Sequence, residues 1–347
     1  MSPERNDIVD IVVVGGGPVG LAAAIGASGR GLRTVVLEPR TGPIDKPCGE
    51  GLMPAGVRAL RDLGAAPRGR EFRGIAYVRG ERRVTAPFRT GAGLGVRRTE
   101  LHAALLAAAG AAGVTFRAHK AVSLEQDADG VLVDGVRARY AIAADGLHSP
   151  MRRLLGLERP SRRPGRRWGQ RAHFAVEPWS DVVEVHWGDA AEVYVTPVAD
   201  DLVGVAVLSR ARAPYLELLA GFPDLRARLP ERPVEPAKGA GPLRQRVHGV
   251  RAGRVLLAGD AAGYVDALTG EGLSIGFRCA AAAVDAIAAD DPAAYVARHA
   301  AITRRYTRLT DVLVRTTALR PLRRHVVTAA ERLPGVFPAA VHSLAEG

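Results

Sequence analysis

Cysteine and lysine are scarce in this chain, and each scarcity excludes something. With 2 cysteines in 347 residues there is no disulfide-built scaffold, and the composition fits neither a coiled coil nor a collagen. Only Lys46, Lys120 and Lys238 are lysines, so 45 of the 48 basic residues are arginines; against 36 acids they leave a net charge of +12. Arginines spread along the whole chain among abundant Ala and Gly reflect compositional bias rather than a binding patch, so no nucleic-acid partner is expected. The 47% hydrophobic content is too high for disorder, and the length suits one large or two interleaved domains with a sizeable core.

Charge is missing altogether from Ile11 to Gly29, a run long enough to mimic a membrane span. It contains Gly15, Gly16, Gly17, Pro18 and Gly20, poor material for an isolated spanning helix. The preceding MSPERND carries mixed charge with no small-residue cleavage site, so no signal peptide is expected. The expectation is a soluble, cytoplasmic protein with both thiols free and no metal site.

That uncharged run carries the most information. A β-branched stretch, Asp7 to Val14, leads into Gly15-Gly16-Gly17-Pro18-Val19-Gly20 and then an Ala-rich helix from Leu21 to Arg30. Gly15 permits the tight turn, Gly17 and the neighbouring Pro18 and Val19 leave the backbone open to a pyrophosphate, and Gly20 allows close helix–sheet packing. A second strand, Thr34 to Leu37, ends at Glu38, placed to accept hydrogen bonds from an adenosine ribose. Strand, glycine turn, helix, strand and acid together indicate a dinucleotide site.

The identity of the dinucleotide comes from further along. Arg98-Thr-Glu-Leu101, Asp145-Gly146 within AADGLHSPMRR, and Gly259-Asp260 followed by TGEGLS stand in order behind the glycine turn, between about residues 8 and 290. Together these motifs resemble the FAD-dependent class A monooxygenases and geranylgeranyl reductases, which share the para-hydroxybenzoate-hydroxylase fold. The resemblance implies an α/β chain: a Rossmann-like FAD-binding domain with a parallel sheet, helices and a three-stranded crossover, an inserted, mostly antiparallel substrate sheet, and a C-terminal helical segment. It divides the chain into 1–67, 96–160 and 246–290 for FAD, 68–95 and 161–245 for substrate, and 291–347 for the terminal helices.

The same resemblance assigns roles. Asp260, with Gly259, is expected at the ribityl chain, and Gly270, Gly272 and Leu273, opening a helix from Ser274 to Ala289, at the flavin pyrimidine, where a helix N-terminus stabilises negative charge. Arg98, on the first turn of a helix from Thr99 to Ala109, belongs near the diphosphate, or else is only a solvated helix-start charge. Arg40, Asp145 and Gly146 join the cofactor set, and Val122 offers backbone contacts to adenine. There is no second GxGxxG, so NAD(P)H as reductant binds transiently, either with help from exposed arginines or without it.

Between the FAD motifs the period changes. Val182–Trp187, Glu192–Thr196 and Leu202–Leu208 alternate apolar with other residues between turn signals, an antiparallel meander. Ile75–Val78, Arg82–Thr85 and a strand around Arg171–Val176 complete its sheet. His173, Trp187, Tyr194, Tyr264 and Asp266 are candidate substrate-pocket residues, against the alternative that they merely pack. Lys46-Pro47-Cys48-Gly49-Glu50-Gly51 resembles the PCGxG loop of the geranylgeranyl reductases; Cys48 is the candidate catalytic residue, its thiol lowered by glycines and a helix start, or else a simple filler. Ser274 stands where typical hydroxylases have Asn. Two amphipathic helices, Leu309–Arg324 and Val326–Leu333, separated near Arg320-Pro321, either cover the core or rest on an anionic membrane.

The expected function is an FAD-dependent oxidoreductase, foremost a monooxygenase hydroxylating an aromatic or polyketide-like small molecule through NAD(P)H reduction of FAD, O₂ addition at flavin C4a and oxygen transfer. The alternatives are a reductase of isoprenoid double bonds and a non-catalytic flavin-binding redox sensor.

Overall fold

The computed structural model describes residues 8–160, 166–333 and 335–345. Asp7 and residues 161–165 of the expected substrate segment lie outside the described residues.

The centre of the fold is the strand Val9–Val14, whose Ile11, Val12 and Val13 are fully buried. β-Branched residues on both faces suit a parallel strand covered on both sides. It pairs in parallel with Thr34–Leu37 on one side and Val136–Ala143 on the other. Thr115–Arg117 and Val255–Leu257 extend the parallel sheet at either end. Between Thr115–Arg117 and Val136–Ala143 the chain makes an antiparallel three-stranded excursion through Glu125–Gln126 and Val131–Val133, the expected crossover.

The helix Pro18–Ser28 starts three residues before the sequence expectation, because Pro18 supplies a first-turn residue with preset φ and no N–H to satisfy. The helix Gly272–Ala288 likewise begins two residues early and lies against it so closely that a Cβ on Gly276 would sit 2.5 Å from Val19 Cγ2.

A second sheet has the order Lys238–Ala240, Trp168–Ala175, Leu202–Ser209, Ala191–Ala199, Val183–Trp187, Gly74–Arg79, Arg82–Pro87. It is antiparallel except where Val183–Trp187 meets Gly74–Arg79. A small sheet of Gly51–Leu52, Gly93–Gly95 and Arg70–Phe72 has no counterpart in the sequence expectation, since strands of two or three residues carry no period.

The C-terminal expectation needs correction. A single helix runs Ala294–Thr316, and the break falls at Thr317–Leu319 rather than near Arg320-Pro321. A proline breaks a helix in its interior but not in its first turn, where its missing N–H has no partner to lose. Pro321 accordingly opens the short helix Arg320–Arg324, followed by Val326–Arg332 and, within the expected terminal helical segment, a further helix Val336–Ala345. No described helix is long and apolar enough to cross a membrane.

Candidate functional site

The glycine turn is built on two close approaches. Gly15 has φ +100°, and a Cβ there would lie 2.6 Å from the Ala144 carbonyl oxygen. At Gly20 a Cβ would lie 1.9 Å from the Gly15 carbonyl oxygen, so the helix can seat on the turn only without a side chain. Gly17 is the helix N-cap, provides no side-chain cap, and has no atom within 4 Å of an added Cβ. The first-turn N–H groups therefore face open space.

That space is a cavity of about 800 Å³, large for a small-molecule site. Gly15, Gly17, Pro18, Val19, Glu38 and Arg40 line one side of it. Arg98, Asp145, Gly146, Gly259, Asp260, Gly270, Gly272 and Leu273 line it from the later segments. Gly20 packs behind the turn instead. Val122 is 61% exposed and spends its N–H on Asp134 Oδ2 at 2.6 Å, while its neighbours Lys120 and Ala121 reach the cavity.

Glu38 is already organised. Its Oε2 accepts from Gly16 N–H at 2.9 Å, and Arg40 binds both oxygens, at 2.7 and 2.9 Å. Burial pushes the carboxyl upward, but these donors outweigh it and hold it below its ordinary value. Arg98 is 6% exposed, which removes the solvated reading, and its Nη1 is buried without a partner. Asp145 Oδ1 is likewise an orphan, burial pushing that carboxyl up. Asp260 is also driven up by burial, against the pull of Lys46, Arg98 and Arg152.

Cys48 lines the cavity, but its thiol is raised rather than lowered. Burial outweighs the Glu50 N–H, which donates to Sγ at 3.4 Å, and the nearby arginines. The loop that carries it is fixed by Glu50, a buried residue held at φ +59°. Glu50 Oε1 accepts Arg98 N–H at 2.8 Å, and Oε2 lies 2.7 Å from His173 Nε2. His173 Nδ1 in turn meets Glu235 Oε1 at 2.7 Å, and Arg171 bridges Glu235 and Asp45.

These bonds relocate some expected pocket residues. Tyr194 and Tyr264 line the cavity, Tyr194 donating its hydroxyl to the Leu268 carbonyl at 2.9 Å. His173 does not, because Glu50 and Glu235 claim both ring nitrogens. Trp187 is buried against Leu268, Val314 and Val327, where the terminal helices cover its end of the sheet. Asp266 turns away to accept Leu268 N–H and to face Arg167 Nε at 3.5 Å.

Two residues of the site stand inside the quoted motifs but are given no role by the sequence expectation. Lys46 lines the cavity near Gly146, whose added Cβ would lie 3.3 Å from its Nζ; burial lowers its pKa. Its signal is rarity, one of three lysines in an arginine-biased chain. Arg152, fully buried, holds the carbonyls of Leu147, Asp260 and Ala261 and so ties the Asp145 and Asp260 segments together.

The donor set fits a flavin dinucleotide: an uncapped helix N-terminus, an orphaned guanidinium and a lysine for the diphosphate, and cavity-lining acids for hydroxyls. Known proteins agree. The family model for an FAD binding domain matches residues 8–215. Menaquinone reductase from Mycobacterium tuberculosis is 31% identical, covering 78% of this chain and 74% of that protein. A 3-(3-hydroxy-phenyl)propionate/3-hydroxycinnamic acid hydroxylase from a Mycobacterium species is 30% identical over 80% of this chain, which spans about half of that longer protein, 54%. In fold, the flavin-dependent brominase Bmp2 superposes with a TM-score of 0.82 at 18% identity, covering 97% of this chain and 92% of that one. The chain belongs to the FAD-binding-domain family of class A monooxygenase-like flavoproteins and is an FAD-dependent oxidoreductase.

Proposed function

We propose that this flavoprotein is an NAD(P)H-dependent monooxygenase that hydroxylates an uncharged aromatic or polyketide-like molecule. The observation that carries this reading is the apolar part of the lining: Ile75, Val183, Val185, Leu208 and Leu243 line the cavity with Tyr77 and Tyr194, and the charged residue that the same sheet contributes, Arg171, is already paired with Glu235 and Asp45. Burying an unpaired charge there would be costly, whereas a flat apolar ring would gain from contact.

FAD, when bound, supplies acceptance of hydride and activation of O₂. The protein's own residues do the rest. The helix N-terminus at Gly17, Arg98 and Lys46 bind the diphosphate, and Asp260 orients the ribityl hydroxyls. The first turn of Gly272–Ala288 places positive potential where a reduced ring is negative, worth roughly 1 kcal/mol or more when partly buried. Tyr264 and the apolar walls keep water from the reacting face. In this reading the segments 1–67, 96–160 and 246–290 serve FAD, and 68–95 and 161–245 hold substrate.

A second reading, reduction of isoprenoid double bonds, is favoured by the Lys46–Gly51 loop lining the cavity and by the named menaquinone reductase. NADPH oxidation measured with and without O₂, against panels of phenols and prenyl compounds, separates the two. A monooxygenase gives oxidation that requires O₂ and is stimulated by a phenol. Anaerobic turnover of a prenyl chain, lost in Cys48→Ala, would transfer the assignment to the reductase.

A further inference from the structure

The cavity has a second end. Beneath the C-terminal helices it is lined by Leu313, Leu322, Val326, Leu333, Val336 and Phe337. Leu322, Leu333 and Val336 are also 46%, 54% and 61% exposed. A side chain that lines a cavity and meets solvent at once stands at a mouth. Beside these rim residues Leu319 is exposed as well, and the polar lining at this end reduces to Thr316 and His325.

The mouth also carries an excess of positive charge, its exposed acid Glu331 being paired with Arg82 at 3.5 Å. Exposed Arg315 and Arg324 are paired with Asp311 and Asp189. Arg320 and Arg332, exposed on the same helices, have no ion-pair partner among the described residues. An aliphatic rim in water, interleaved with unpaired guanidinium groups, is complementary to the interface of an anionic bilayer, where the rim enters the acyl boundary and the cations meet phosphate. With no described helix able to span, such contact rests on the membrane rather than crossing it.

We propose that this mouth docks on an anionic membrane surface and admits the hydrocarbon part of a membrane-dissolved substrate, whose reacting end reaches the flavin side. This rests on the reading of the cavity as the substrate site, but docking can be measured without turnover. The FAD-loaded full chain is sedimented with vesicles of phosphatidylcholine alone and of phosphatidylcholine mixed with phosphatidylglycerol. The protein should follow only the mixed vesicles, and Arg320→Glu with Arg332→Glu should lower partitioning at least thirtyfold, about fivefold from each neutralised arginine, with repulsion of the introduced carboxylates adding to it. Leu333→Glu with Val336→Glu should also release it, with flavin absorbance unchanged to show that the fold is intact. For entry, flavin fluorescence is titrated with methyl- and decyl-hydroquinone; the second pair should weaken the decyl probe selectively. Protein left in the supernatant with mixed vesicles, sedimentation that neither pair alters, or equal effects on both probes would overturn the proposal.

Discussion

His173→Phe tests the ionic knot that fixes the Cys48 loop. The substitution keeps a planar ring of similar volume and removes both nitrogens. Glu50, whose side chain is 1% exposed, then retains only the Arg98 N–H at 2.8 Å and Arg171 at 3.7 Å. Glu235 suffers less, since it is 27% exposed and keeps Arg171. Removing one partner of a buried pair costs about 3–5 kcal/mol. At about 2.1 cal/mol/K per residue, 347 residues give an unfolding entropy of about 0.7 kcal/mol/K, so the melting temperature should fall by about 4–7 °C if the chain unfolds as one unit. Adding Glu50→Gln to His173→Phe should recover part of the loss, because an amide can still accept from Arg98 N–H without burying a charge. Calorimetry on the four proteins of that cycle measures the coupling. A drop below about 1 °C for His173→Phe, or strict additivity in the cycle, would refute the reasoning.

Three further outcomes are expected. Gly20→Ala must push its helix back by about 1.5 Å to relieve a 1.9 Å approach to a 3.4 Å contact; the strain of about 1–3 kcal/mol should weaken FAD binding roughly tenfold, read by flavin fluorescence, and an unchanged Kd would contradict it. Glu271, 4% exposed with an unpartnered Oε1, is pushed by burial up to about 8. Its folded form binds more protons than the unfolded chain between its ordinary 4.5 and about 8, so stability is lost as pH rises through that window; Glu271→Gln should therefore stabilise at pH 8 and gain nothing near pH 4, and a pH-independent difference in melting temperature would count against it. Cys48, raised by burial, should react with iodoacetamide at neutral pH far more slowly than a free thiol, and rapid alkylation would restore the activated-thiol reading.

How much is legible in the sequence depends on how local the signal is. The turn at Gly15 to Gly20 and the acid at Glu38 announce themselves because glycine spacing and strand period act over a few residues. Tyr194 and Tyr264 line the cavity, whereas His173, Trp187 and Asp266 do not. Each of those three is claimed by a group distant in the chain: Glu50 for His173, Val314 and Val327 for Trp187, Arg167 for Asp266. Nothing in a window of alternating residues encodes such partners. The lowered thiol expected at Cys48 fails for the same reason, because glycine neighbours suggest an open loop whereas the tertiary packing leaves Cys48 half-buried with its thiol raised. At the C-terminus, Pro321 reads as a break in a long helical pattern, yet its place in a first turn makes it a start.

The flavin content of the purified protein is the most direct measurement. Wild type should be yellow, absorb near 450 nm, a property of the cofactor, and hold about one FAD per chain after desalting, while Asp260→Ala should retain clearly less because a cavity-lining carboxyl is lost. A colourless protein that takes up no added FAD, or an Asp260→Ala variant with undiminished occupancy, would contradict it.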